Sequence, residues 1–92
     1  MDKTRVEYHM EVYEESWGND PSIAWSSDNP FPSVAVGDYF EHRGFDRWYS
    51  PPQEGERFQV AEVDHIFWEI EGSHVGHKLM VLLKKVAGSK DG

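Results

Sequence analysis

The sequence predicts a mainly β domain: four or five antiparallel strands in a strongly bent sheet or small barrel, with long aromatic-rich loops. Three observations carry this. Residues 57–86 read as two long strands joined by a glycine-containing turn. Residues 4–14 alternate polar and apolar with period two. The remaining segments are crowded with Pro, Gly, Ser, Asn and Asp, which are turn and loop signals. The expected strands are 4–14, 38–49, 57–71 and 77–86, within one domain spanning residues 1–92.

The hairpin organises the rest. Its first arm carries Phe58, Val60, Val63, Ile66, Phe67, Trp68 and Ile70, residue types that suit a half-buried pleated surface. Phe58 and Val60 share one parity and Ile66, Trp68 and Ile70 share it too, but between them the apolar set moves to Ala61 and Val63. A parity switch within a strand is the mark of a β-bulge or a sharp bend. The turn is placed at residues 71–77, where Gly72 and Gly76 supply positive φ. The second arm contains the apolar run Leu79–Leu83. A helix is the rival for this arm, because Val75, Leu79, Leu82, Leu83 and Val86 fit a helical stripe. The strand is preferred because the run is short, follows a turn after a strong strand, and leaves Met80 and Val81 outside the stripe.

In residues 4–14, Val6, Tyr8, Met10 and Val12 lie on one face and Arg5, Glu7, His9, Glu11 and Tyr13 on the other. Residues 15–33 are expected to form a loop packed across one end of the sheet, with a short helical turn possible near Pro21 to Trp25. Trp17, Ile23, Trp25 and Phe31 are its packing groups. Val36-Gly37-Asp38 followed by Tyr39 resembles the way many SH3-like barrels enter a strand, which makes an SH3-like barrel one form of the expected fold. Residues 44–56 form a second loop, stiffened by Pro51-Pro52. Residues 87–92 are small and polar and read as a frayed tail.

Composition narrows the function classes. There is no cysteine, so disulfides, thiol chemistry and cysteine-ligated zinc are excluded. The start of the chain has no apolar leader-like run and no segment is long enough to span a membrane, so a cytoplasmic protein with no membrane contact is expected. Seventeen acidic against nine basic residues give a net charge of −8, which disfavours binding to nucleic acid. The acidity serves solubility; alternatively it imitates nucleic acid to inhibit a basic protein.

No catalytic constellation is visible. There is no nucleophile elbow and no phosphate-cradling glycine loop, so no cofactor is expected. Carboxylates recur two apart, at Glu62 and Asp64 and at Glu69 and Glu71, a spacing that suits an exposed sheet face as well as acid–base chemistry. His65, His74 and His77 are weak candidates for a metal site in a small metal-dependent enzyme, since three neutral imidazoles can hold zinc. The stronger lead is a surplus of aromatic residues in the loops. Phe45, Arg47, Trp48 and Tyr49 combine the residue types that anchor protein interfaces. The expectation is therefore a non-enzymatic protein-binding or self-assembly module, whose partner is another protein or a second copy in a homo-oligomer.

Overall fold

The computed structural model describes residues 5–88. Among them are five strands and no helix: β1 (Arg5–Glu14), β2 (Ile23–Ser27), β3 (Tyr39–Phe40), β4 (Glu56–Ile70) and β5 (His74–Ala87). They form one sheet in the order β2-β1-β5-β4-β3. The sheet curls into a half-barrel. Among the described residues its outermost strands, β2 and β3, do not pair with each other, so it stops short of a closed barrel.

Not all pairs are antiparallel. β1 runs parallel to β5, from Arg5 opposite His74 to Glu14 opposite Leu83. The reason is topological. The hairpin places β4 on one side of β5, and β1 takes the other side through a connection long enough for a parallel pairing. β1 is thus internal.

The 57–71 and 77–86 expectations hold as strands, and the helical alternative for the last arm does not form. The parity switch is a bulge between Val60 and Glu62. Gly72 has φ 78° in a turn shorter than expected, with β5 already begun at His74. Gly76 is not a turn residue. It lies under the Trp68 indole, where a Cβ would come within 2.1 Å of Cε2. Close packing of the indole, not backbone freedom, requires glycine there.

Two elements differ from expectation. The loop at 15–33 contains β2, which pairs antiparallel with β1 from Val12 opposite Ile23 to Tyr8 opposite Ser27. Ile23 and Trp25 share a face, but a five-residue strand between prolines gives little periodic signal. The strand expected at 38–49 is only two residues long. Past Phe40 the chain leaves the sheet so that Trp48 can pack on Phe58, at 5.0 Å between ring centroids, and donate its indole N–H to the His42 carbonyl at 2.8 Å. The end expected to fray is in part ordered: Ala87 belongs to β5 and Gly88 N–H donates to the Gly55 carbonyl. Residues 89–92 and residue 4 lie outside the described residues.

The core lies on the inner face. Met10 and Val12, Ile23, Phe58 and Val60, and Leu79, Val81 and Leu83 are buried there, covered by Trp25, Phe31, Val34, Phe40 and Trp48. The lid expected of the first loop is therefore real for Trp25 and Phe31. Trp17 instead serves the outer face. It packs edge-on against Tyr13 and donates to Glu62 at 3.0 Å, spanning the row Tyr13–Leu82–Glu62 and helping to bury Leu82.

One buried carboxylate fastens the second loop. Glu14 is 3% exposed. It accepts hydrogen bonds from the Ser22 hydroxyl, from Tyr49 N–H at 2.7 Å and from Ser50 N–H at 2.8 Å. These ties hold residues 49–50 against the end of β1.

The molecule is long, 54 × 27 × 20 Å, with a radius of gyration of 15.5 Å. A compact chain of this length would have about 12 Å. β4 and β5 account for the difference: strands of 15 and 14 residues run past the covered core and form a projecting arm.

Candidate functional site

The sequence-predicted binding residues divide. Trp48 is tucked against Phe40 and Phe58 and belongs to the lid. Phe45 leans on Trp25 at 5.2 Å between ring centroids and stays partly exposed. Arg47 is exposed, and Tyr49 is 65% exposed although its backbone is held by Glu14. The loop thus presents Phe45, Arg47 and Tyr49 but not Trp48. Residue type alone cannot tell an anchor for a partner from an anchor for the chain's own core.

The three candidate metal ligands do not converge. Ile70 pairs with His74 while Phe67 pairs with His77, which puts His74 on the outer face and His77 on the inner face beside His65. Among the described residues no group of three or more His, Cys, Asp or Glu side chains is arranged to hold a metal ion. His65 and His77 do meet. Their rings stack at 5.2 Å and His65 Nδ1 lies 2.9 Å from His77 Nε2, so one nitrogen donates and the other accepts. Phe67 stacks on His77 at 4.4 Å. Burial, and then the neighbouring His65, push the His77 pKa below its ordinary value of 6.5. The pair borders a cleft of roughly 260 Å³ lined also by Tyr8, Phe31, Val34 and Leu79. Two hydrogen-bonded imidazoles can relay a proton, and the rings that flank His77 are Tyr8 and Phe67.

Sequence reading missed a polar cluster on the outer face. Glu7 Oε1 lies 3.5 Å from His74 Nε2 and 3.9 Å from His9 Nε2, and His9 Nδ1 contacts the Ser26 hydroxyl at 2.9 Å. The order Ser26–His9–Glu7 has the residue types of a hydrolytic triad, but 3.9 Å is too long for the hydrogen bond that would orient the imidazole. Trp68 stacks on His9 at 5.5 Å. Alternation already put Glu7 and His9 on one face; only the parallel register with β5 adds His74. Nearby, Lys78 pairs with Glu11 at 3.2 Å. Burial raises the Glu11 pKa, yet hydrogen bonds from Tyr13 and Lys78 hold it below its usual value. Burial, and then its bond to Glu11, push the Tyr13 hydroxyl up to about 12.

A further exposed apolar group lies outside the loops and adjoins the His65–His77 pair through Phe67. It is the distal part of β4, where Ile66 is 44% exposed, Phe67 67% and Ile70 47%. Burial on the arm alternates poorly because the lid ends near Val34 and Phe31, short of these positions. β3 covers only Phe58 and Gln59, with Gly37 and Asp38 bonding to Val60. Among the described residues no strand pairs with the β4 edge from Glu62 to Ile70.

No protein-family model matches the chain, and no curated protein or solved structure matches it either. No helix among the described residues is long and apolar enough to cross a membrane.

Proposed function

We propose that the protein is a non-enzymatic binding module, and that the β4 arm is its main contact surface. One observation carries this: Ile66, Phe67 and Ile70 stand in water along a strand whose outer edge, past Val60, is unpaired among the described residues. Apolar side chains clustered on an open edge mark a place where another chain adds. Phe45, Arg47 and Tyr49 form a second, smaller contact zone of the type that the sequence suggested. Separation of His74 from His65 and His77, and the gap between His9 and Glu7, give an enzymatic reading no comparable support.

The test is substitution at exposed positions that leave the core alone. Phe67→Ser and Tyr49→Ser are each compared with the unaltered protein in affinity capture and in light scattering. The expected result is a bound protein or an assembled state lost with Phe67→Ser and weakened less with Tyr49→Ser. An unaltered protein that captures nothing and stays monomeric would refute the reading.

A further inference from the structure

We infer that the partner at the β4 edge is a second copy of this chain, joined antiparallel about a two-fold axis at Ile66. This rests on the proposal that the arm is a contact surface, and adds the occupant and its register. Among the described residues the free edge runs from Glu62 to Ile70, so its midpoint is Ile66. Residues directly opposite each other in a sheet lie on the same face. A two-fold about Ile66 meets that condition and pairs every free position: Ile66 with Ile66, His65 with Phe67, Asp64 with Trp68, Val63 with Glu69 and Glu62 with Ile70.

The charge pattern fits this register. All the carboxylates of the free edge, Glu62, Asp64 and Glu69, fall opposite Ile70, Trp68 and Val63, so no carboxylate faces another. Like charges directly opposite would be destabilising. Sliding the axis to Asp64 sets that residue against its own copy and shortens the overlap. On the inner face, Phe67 of each copy meets His65 of the other and lengthens the existing stack of His65, Phe67 and His77. The two sheets become one sheet of ten strands, and the exposed Ile66 pair lies at its centre. The opposing influence is the net charge of −8 on each copy, which salt screens.

The absence of cysteine gives a clean experiment. In Ile66→Cys the two thiols face each other across the axis, at the roughly 4.5–5.5 Å Cα separation of antiparallel partners, which a disulfide can bridge. In Ile70→Cys each thiol lies opposite Glu62 of the other copy, about 27 Å along the strand from its twin. Mild oxidation should therefore cross-link Ile66→Cys at least about tenfold faster than Ile70→Cys. A mixture of Glu62→Cys and Ile70→Cys should give the mixed dimer. Sedimentation should show the unaltered protein as a dimer that strengthens with added salt, and Ile66→Lys as a monomer with an unchanged circular dichroism spectrum. A monomer at the highest soluble concentration, or equal cross-linking at 66 and 70, would overturn the inference. If the protein is monomeric but captures a different protein through Phe67, the second copy is excluded while the binding module stands. If it does neither, both fail.

Discussion

Removing the Glu14 carboxylate tests whether one buried acid holds the second loop in place. Glu14→Ala deletes three hydrogen bonds to a charged acceptor: one from the Ser22 hydroxyl and two from backbone N–H groups of Tyr49 and Ser50. Bonds to charged groups contribute about 1.5–3 kcal/mol each. Their sum is an upper bound, because Tyr49 and Ser50 are exposed residues whose amides regain water once the loop lifts. No ion pair is broken, so after discounting the two amides that regain water a loss of about 3–5 kcal/mol is expected. A domain of this size has a total stability on the order of 5–10 kcal/mol. Urea unfolding followed by tryptophan fluorescence, at a slope of roughly 2 kcal/mol per molar, should show the midpoint falling by about 2 M. Glu14→Gln keeps one accepting oxygen and turns an NH₂ toward a donor, so it should lose about half as much. Amide exchange at Tyr49 and Ser50 should quicken in both variants. A Glu14→Ala unfolding free energy within about 0.5 kcal/mol of the unaltered protein would refute the reasoning.

Gly76→Ala forces the Trp68 indole off the strand, since the new Cβ would overlap its ring; a cost of about 1–3 kcal/mol is expected, with a changed near-ultraviolet dichroism from Trp68, and little cost when Trp68 is already Ala. Trp48→Ala should cost about 2–4 kcal/mol in thermal or urea unfolding, because the ring packs on Phe58, so any loss of binding in that variant reports loosened structure. His77 has a folded-state pKa below its ordinary 6.5, so the unfolded chain binds more protons in the window just below that value. Stability from this group is complete above pH 6.5 and declines as pH falls below it; unfolding measured from pH 8 to 5 should show a shallower decline in His77→Phe, and an unchanged slope would count against the assignment.

Strand content was legible in this chain where one face is wet and the other dry. Val6, Tyr8, Met10 and Val12 alternate because β1 has one covered face, and the switch between Val60 and Val63 shows the bulge directly, since an extra residue reverses every later side chain. β2 was not legible. Ile23-Ala24-Trp25-Ser26-Ser27 extends because β1 offers an edge to pair with, and that edge lies far away in neither composition nor period but in space. The short β3 has the same explanation in reverse: Tyr39 to Tyr49 has strand-like residues, but burying Trp48 on Phe58 and tying Tyr49 to Glu14 draws the chain out of the sheet.

The candidate surfaces were legible in part. The aromatic-rich loops point to a candidate contact surface, but half-buried Trp48 and exposed Tyr49 are indistinguishable until the core is assembled around one of them. By itself the sequence determined a mainly β fold, a kinked hairpin, the absence of thiol chemistry and a net charge of −8, because these follow from residue type and local spacing. Only the tertiary structure decided that β1 lies parallel to β5, that Glu7 approaches His9 and His74 while His65 meets His77, and that among the described residues the β4 edge from Glu62 to Ile70 stays open. Those outcomes depend on which strands become neighbours and in what register, and that choice is made by burial across the whole chain at once.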